Sequence, residues 1–203
     1  NCGVAYEACR WIQKVGGDLS IMLLDKAAME RSGAIAQGLS AINTYLGENN
    51  ADDYVRMVRT DLMGIVREDL IFDLGRHVDD SVHLFEEWGL PCWIKKDGKN
   101  LDGAQAKAAG LSLRNGDACV RSGRWQMMIN GESYKCIVAE AAKFALGEHG
   151  YMERIFVVKM LLDANEPNRI AGAVGFSTRE NKVYVFKCNA AVVACGGAVN
   201  VYR

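Results

Sequence analysis

The spacing of apolar residues predicts four helices in the chain. Apolar positions recur at helical intervals over residues 4–14, 54–66 and 70–88, where the last two patterns follow each other directly. A further helix is predicted over residues 132–146, with Gly147 as its C-terminal stop. These patterns indicate a chain whose middle section is mainly helical.

Short apolar runs predict strands on either side of the helical section. Residues 19–25 form a mostly apolar run that stops at a carboxylate. Residues 154–162, 170–177 and 182–188 are joined by turn-rich linkers of hairpin length, which predicts an antiparallel meander. Residues 190–194 are uniformly apolar, and such a run is typical of a buried parallel strand.

The order of these elements predicts an α/β fold, a Rossmann-like domain with a parallel sheet, inserted helices and an antiparallel β-meander. Residues 1–48 supply a βα segment, residues 49–150 a helical insertion, and residues 151–203 the meander and a return strand. Residues 92–122 are polar, Gly-rich and without period, so they are predicted as a long surface loop within the insertion.

The acidic residue at the end of the first strand pattern is a candidate nucleotide ligand. In a dinucleotide-binding unit, the acid that ends the second strand accepts hydrogen bonds from a ribose. Asp25 holds that position, and the glycines and small residues that follow it allow backbone to approach a flat cofactor. Asp25 can also be an ordinary surface strand end, and Gly33 and Gly38 can be ordinary turn glycines.

The N-terminal helix has no strand before it. In a Rossmann unit that helix follows a central strand and a glycine-rich turn, of which Gly3 is a possible remnant. The interval from Gly3 to Asp25 is close to the roughly 20 residues that separate such a turn from the ribose acid. We therefore expect an internal fragment of a larger protein that lacks the first strand.

Composition indicates a globular protein without a nucleic-acid footprint. The chain has 203 residues, of which 50% are hydrophobic and 24% charged, with a net charge of -1. No apolar stretch approaches the roughly 20 residues that span a bilayer. The seven cysteines are scattered without a C-x-x-C pair, which predicts no metal site and favours a reducing, cytoplasmic location.

Four segments together resemble the alpha subunits of dissimilatory adenylylsulfate reductases. They are ERSGAIAQGLSAINTY at 30–45, RHVDDSVHLFEEWGLP at 76–91, WQMMINGESYK at 125–135 and ACGGAVN at 194–200. The resemblance covers essentially the whole chain. The AQG motif and the A-x-G-G strand end are shared with the wider fumarate reductase and succinate dehydrogenase flavoproteins.

The resemblance implies FAD bound without a covalent link, because Ser32 stands where several of those relatives carry a flavin-linked histidine. Asp25 and Lys26 are expected near the adenosine ribose and Val157 beside the adenine. The residues expected to line the flavin and pyrophosphate are Ser32, Gly33, Gln37, Gly38, Ser40 and Ala41, with the backbone of Ala194, Cys195 and Gly196.

Two residues are catalytic candidates. The resemblance places Asn43 on the reacting side of the flavin, although asparagine is also a common capping residue. Arg121 belongs to a basic and aromatic patch that can attract an anionic nucleotide, or can equally be a solvated loop or a subunit interface.

The reaction implied is the two-electron interconversion of adenosine 5'-phosphosulfate with sulfite and AMP, in dissimilatory sulfur metabolism. The partner implied is a beta subunit that carries the [4Fe-4S] clusters. The alternatives are a flavoprotein like fumarate reductase or succinate dehydrogenase, and a flavin electron-transfer module without catalysis. The fragment alone is expected to be inactive.

Overall fold

The computed structural model describes residues 2–37, 41–45, 50–90, 94–96, 99–101, 103–110, 125–129 and 131–197. The helices are α1 (Cys2–Val15), α2 (Ala51–Asp61), α3 (Glu68–Gly75), α4 (Val78–Glu87), α5 (Gly103–Ala108) and α6 (Gly131–Leu146), with a 3-10 turn at Ala34–Gln37. The strands are β1 (Leu23–Leu24), β2 (Ala41–Asn43), β3 (Ile94–Lys96), β4 (Lys99–Leu101), β5 (Gln126–Met128), β6 (Tyr151–Met152), β7 (Ile155–Leu162), β8 (Ile170–Ser177) and β9 (Val183–Lys187).

The chain divides into two compact units. The first unit combines Asn1–Gln37 with Val138–Arg203, and the second unit is Gly38–Ile137. None of the helices in the described part of the chain is long and apolar enough to cross a membrane.

Strands β1 and β6 of the first unit pair in parallel. Leu23 pairs with Tyr151 and Leu24 with Met152. Of the run predicted as a strand over residues 19–25, only Leu23 and Leu24 form one, because only these two residues pair with β6. Antiparallel pairing of β7 with β8 and of β8 with β9 confirms the predicted meander almost to the residue.

The return strand predicted over residues 190–194 is wrong. This segment forms no strand among the described residues, and Val192 and Val193 are 73% and 71% exposed. Cys195, expected at a buried strand end, is exposed as well. A run of apolar residues becomes a parallel strand only where a neighbouring strand accepts and donates its backbone hydrogen bonds, and sequence periodicity alone does not supply that neighbour.

Helices form most of the second unit where it is described. Asn50 caps α2 by accepting a hydrogen bond from the Asp53 amide at 2.9 Å, which satisfies a free donor of the first turn. The single helix predicted over residues 70–88 is instead two helices, α3 and α4, separated at Arg76 and His77. The apolar period runs through the sequence of both helices, so the pattern by itself does not reveal the break. In the structure the α3 residues of that pattern, Leu70 and Leu74, are exposed, whereas Val78 of α4 is buried.

The segment predicted as a loop over residues 92–122 contains regular structure where it is described. Strands β3 and β4 pair as a hairpin, and α5 follows. Strands of three residues are too short to show alternation, which explains the error. Residues 111–122 lie outside the described part of the chain.

Aromatic packing holds β2 and β5 to the helices of the second unit. These two strands pair antiparallel, with Asn43 opposite Gln126. Directly after β2, Tyr45 packs with Tyr54 and Val78, and the Tyr45 and Tyr54 ring centroids are 5.9 Å apart. The Tyr45 hydroxyl donates to the Gly75 carbonyl at 2.8 Å.

Replacing Tyr45 by Phe should lower the free energy of unfolding by about 1–2 kcal/mol, because the buried Gly75 carbonyl loses its donor. Chemical denaturation of the intact protein measures this change. The matched control is Tyr184→Phe on β9, whose half-buried ring stacks with Phe186 and which should be nearly neutral. Equal effects of the two substitutions would contradict the role of the Tyr45 hydroxyl.

Candidate functional site

Asp25 is fixed in place by both its backbone and its side chain. Its amide donates to the Met152 carbonyl at 3.0 Å, and its carbonyl accepts from the Ile155 amide at 2.9 Å. Its carboxylate accepts from the Ala27 amide at 2.9 Å and from the Ser32 hydroxyl at 2.7 Å. The residue is only 7% exposed. The first-unit sheet therefore presents one oriented carboxylate at the end of β1.

The Asp25 carboxylate keeps capacity for a ligand. An ionised carboxylate offers about four lone-pair positions, of which the two internal hydrogen bonds occupy two. Sugar hydroxyl groups are suitable donors for the remaining positions. The hydroxyl of Ser32 donates to Asp25, and its oxygen can still accept a hydrogen bond from a ligand.

Two predicted glycines leave open space beside the backbone. Gly33 has φ +81 and Gly196 has φ +82, a conformation that side chains rarely adopt, and a Cβ at either position would meet nothing within 4 Å. The adjacent Gly197 is open in the same way. Bare backbone of this kind permits close approach by a flat ligand, as the predicted cofactor requires, although turn glycines such as Gly16 and Gly64 are open in the same way.

A lysine on α6 joins two carboxylates next to the Asp25 loop. The Lys143 Nζ lies 2.9 Å from a carboxylate oxygen of Glu153 and 3.1 Å from one of Glu30. The same Glu153 oxygen accepts from the Met29 amide at 2.7 Å. The Lys143 ammonium also lies 5.2 Å from the centroid of the Tyr151 ring. The cation therefore connects a helix, a loop and the turn after β6.

The hydrogen bonds shift the pKa values of this group in opposite directions. A hydrogen bond with its own backbone and then the bond from Lys143 lower the pKa of Glu30. Burial acts to lower the pKa of Lys143, but its hydrogen bonds to Glu153 and Glu30 outweigh that effect, so the pKa is raised. Both shifts favour the charged forms that make the contact.

The second unit has a polar cleft at the end of β2. The cleft has a volume of about 700 Å³ and contains charged, amide and aromatic groups. Its lining residues are Asn43, Asp53, Arg56, Met57, Thr60, Asp61, Trp125 and Gln126. Arg56 and Asp53 form an ion pair there. Exposed Asn43 thus opens onto a region able to hydrogen bond with a small polar ligand.

The predicted site residues lie in both units. The first unit contains Asp25, Lys26, Ser32, Gly33, Gln37, Val157, Ala194, Cys195 and Gly196, and the second unit contains Ala41 and Asn43. Contacts join Asp25 to Ser32, while the Lys26 ammonium lies 6.0 Å from the Phe156 ring centroid. Gly38, Ser40 and Arg121 fall outside the described residues. The predicted roles of all these residues, described or not, stay predictions.

Sequence reasoning did not identify Glu30, Lys143 or Glu153. The Lys143 and Glu30 positions are separated by 113 residues along the chain. A charge pattern reports pairs within a helix, at intervals of three or four residues, so it contains no signal for this contact.

Comparison with known proteins reveals one curated relative of high similarity. No family model matches the chain. Over its full length it is 77% identical to the alpha subunit of adenylylsulfate reductase from Megalodesulfovibrio gigas. The chain spans 31% of that protein's length. The family resemblance predicted from the sequence is confirmed.

Solved structures of two such reductases share the fold of this chain. An adenosine-5-phosphosulfate reductase in complex with sulfite, as a covalent adduct, is 51% identical with a TM-score of 0.82, and the match covers 100% of this chain and 29% of that one. Adenylylsulfate reductase from Archaeoglobus fulgidus is 51% identical with a TM-score of 0.81, at the same coverage. A quinol fumarate reductase from E. coli is 17% identical with a TM-score of 0.67, and the match covers 99% of this chain and 32% of that one. At this identity the similarity supports the fold alone. The predicted α/β flavoprotein fold is confirmed.

Acid should remove the contribution of Glu30 to stability. Because the pKa of Glu30 is lowered from its ordinary value of 4.5, its stabilising effect is complete above that pH and is lost as the pH falls through the lowered value. With a side chain 39% exposed, the effect at neutral pH is expected to be at most about 1 kcal/mol. Denaturant unfolding of Glu30→Gln and the parent protein should therefore differ at pH 7, and the difference should shrink as the pH falls below 4.5.

The control for this pH series is Glu180→Gln, which removes an exposed ion pair with Lys182 on the turn between β8 and β9. That variant should remain close to the parent protein throughout the series. A difference between Glu30→Gln and the parent that grows as the pH falls would oppose the assigned pKa direction.

Proposed function

We infer that this chain is part of the alpha subunit of an adenylylsulfate reductase, an FAD-dependent enzyme that interconverts adenosine 5'-phosphosulfate with sulfite and AMP. The observation that carries this inference is the 77% identity along the entire chain. The similar structure in complex with sulfite supports the substrate class. A fumarate reductase-like activity has less support, because that relative shares only 17% of its residues with this chain.

The FAD site is proposed to include the first-unit loop that follows β1. Asp25 would accept hydrogen bonds from the ribose hydroxyls through its free lone pairs, while Ala27 and Ser32 hold its carboxylate. Gly33 and Gly196 would let backbone approach the cofactor, since neither position has side-chain or neighbouring atoms in that space. Ser32 has no nucleophilic nitrogen, so the flavin would be held without a covalent link.

The remaining predicted residues complete the proposed cofactor contacts. Lys26 would lie near the ribose and Val157 beside the adenine. The residues proposed along the flavin and pyrophosphate, besides Gly33 and Gly196, are Ser32, Gln37, Gly38, Ser40, Ala41, Ala194 and Cys195. FAD, when bound, supplies a two-electron redox centre, and the protein supplies orientation and hydrogen-bond donors.

Substrate orientation is proposed for Asn43 and Arg121. The Asn43 amide can donate to an anionic oxygen, and the guanidinium of Arg121 can pair with a phosphate. Electrons would be exchanged with a beta subunit that carries [4Fe-4S] clusters, and the complex would be cytoplasmic. The test is purification of the complete alpha and beta subunits together, followed by an assay of AMP-dependent sulfite oxidation. Bound FAD without such turnover would reject the proposed reaction.

Substituting Asp25 by Ala in the complete alpha subunit should weaken FAD binding by roughly 1.5–3 kcal/mol, because a charge-assisted hydrogen bond is lost. This loss corresponds to a dissociation constant raised roughly 10- to 150-fold. Titration of deflavinated protein with FAD measures the change. The control is Asp163→Ala, which removes a carboxylate that accepts the Asn165 and Glu166 amides in an exposed turn. Unchanged FAD affinity in Asp25→Ala would count against the proposed ribose contact.

Substituting Asn43 by Leu should slow sulfite-dependent electron transfer by about a hundredfold, as expected when one donor to a reacting anion is removed. Flavin content should change far less, because Asn43 is not proposed to retain the cofactor. Stopped-flow reduction by sulfite and AMP, normalised to bound FAD, separates the two effects. Asn165→Leu, in the exposed turn after β7, is the control. Equal losses of rate and flavin would show a structural role for Asn43.

A further inference from the structure

The loop between Asp25 and Gly33 is held by residues of the turn after β6 as well as by Asp25. The Met29 amide donates to Glu153, and the Ala27 carbonyl accepts from the Arg154 amide at 3.3 Å. Met29 is completely buried, so its position fixes the middle of the loop. The turn after β6 therefore supports the loop through a side chain and through backbone.

Lys143 connects the two sides of this arrangement. Its ammonium binds Glu30 within the loop and Glu153 in the turn, and the Glu153 oxygen that it contacts is the one that accepts the Met29 amide. The α6 helix is thereby tied to both elements through one charged group. We call Glu30, Lys143 and Glu153 the lysine clamp.

The turn held by the clamp is conformationally strained. Arg154 adopts φ +64, a left-handed conformation that is unfavourable for an L residue with a side chain. Such a conformation persists where the surroundings determine it. Here the Arg154 amide donates to the Ala27 carbonyl, its own carbonyl accepts from the Thr178 amide at 2.8 Å, and Glu153 beside it is bound by Lys143.

The clamp differs from the exposed ion pairs of the first unit. The side chains of Lys143 and Glu153 are only 25% and 26% exposed, whereas those of Lys182 and Glu180 are 63% and 54% exposed. Exposed pairs contribute little because water screens them and their side chains are free to move. Removing one partner of a less exposed group leaves the other charges without compensation and lets the attached loop shift.

We propose that Lys143 is a positioning residue for the adenosine end of FAD. It holds the Asp25 loop through Glu30 and Glu153, and it does not touch the cofactor itself. This inference rests on the proposed function, because it assumes that the Asp25 loop binds the ribose. The clamp would fix the loop that carries Ala27 and Ser32, and these two groups hold the Asp25 carboxylate.

The test compares Lys143→Met, Lys143→Arg and Lys182→Met in the complete alpha subunit with its partner. Titration of the deflavinated protein with FAD gives the dissociation constant, and urea unfolding of the same apoprotein reports stability separately. Lys143→Met should raise the dissociation constant roughly tenfold, the scale on which loss of an indirect supporting contact weakens a bound group. Lys143→Arg should restore it to within about threefold, because the guanidinium keeps the charge and several donors.

Lys182→Met is the matched control, since it also removes a lysine from a first-unit ion pair but lies on an exposed turn. Its FAD affinity should equal that of the parent protein. An affinity loss as large as that of Lys143→Met would overturn the proposal. If Lys143→Met does not fold, Glu30→Gln removes only one arm of the clamp and should raise the dissociation constant by about threefold, and an unchanged value would overturn the proposal.

A double-mutant cycle distinguishes positioning from a general effect on folding. In protein that already carries Asp25→Ala, Lys143→Met should change FAD affinity by less than about twofold, because the group that Lys143 positions is gone. Equal effects in both backgrounds would overturn the proposal. If Asp25→Ala weakens binding while Lys143→Met does not, the positioning role of Lys143 is wrong and the proposed ribose contact stands. If neither substitution has an effect, the proposed ribose contact is wrong as well.

Discussion

The parallel pairing of β1 with β6 is the interaction on which the first unit depends. It is short, yet it continues past the strand end, where the Asp25 amide binds the Met152 carbonyl and the Ile155 amide binds the Asp25 carbonyl. These bonds fix the backbone of Asp25 in the sheet while its side chain stands at the sheet edge. A carboxylate held in this way does not have to be ordered when a ligand arrives, which reduces the entropic cost of binding.

Charge and backbone strain lie close together around that carboxylate. The loop after β1 has little regular structure. It is held by hydrogen bonds that Ala27 and Ser32 donate to the Asp25 carboxylate, and by the lysine clamp, in which Glu153 accepts the Met29 amide. The left-handed turn at Arg154 contacts this loop through the hydrogen bond from its amide to the Ala27 carbonyl. Each element limits the movement of the other, so this edge of the first unit is ordered without a continuous strand or helix. Such order is what a binding loop requires if it is to present its groups in one arrangement.

The second unit obtains its order from aromatic packing. Trp125 stands against Tyr45 and Tyr54, with ring centroids 6.1 Å from each, and the two tyrosines also touch each other. This cluster joins the end of β2 to α2 and α3, and the Tyr45 hydroxyl secures the last carbonyl of α3. Asn43 lies two residues before Tyr45, so the packing of that ring limits where the Asn43 amide can go. A polar cleft beside a rigid aromatic cluster results.

The sequence by itself determined the resemblance to adenylylsulfate reductase alpha subunits, the meander, the C-terminal limit of α6 and the acidic end of β1. These features depend on local residue chemistry: hairpin linkers, a glycine stop at φ +73 and a carboxylate after an apolar run. Only the tertiary structure decided that residues 190–194 are not a strand, that the helix predicted over residues 70–88 is two helices, and that Lys143 reaches Glu30. Strand formation and ion pairing depend on a partner far away in the chain, and a pattern of neighbouring residues contains no information about that partner's position.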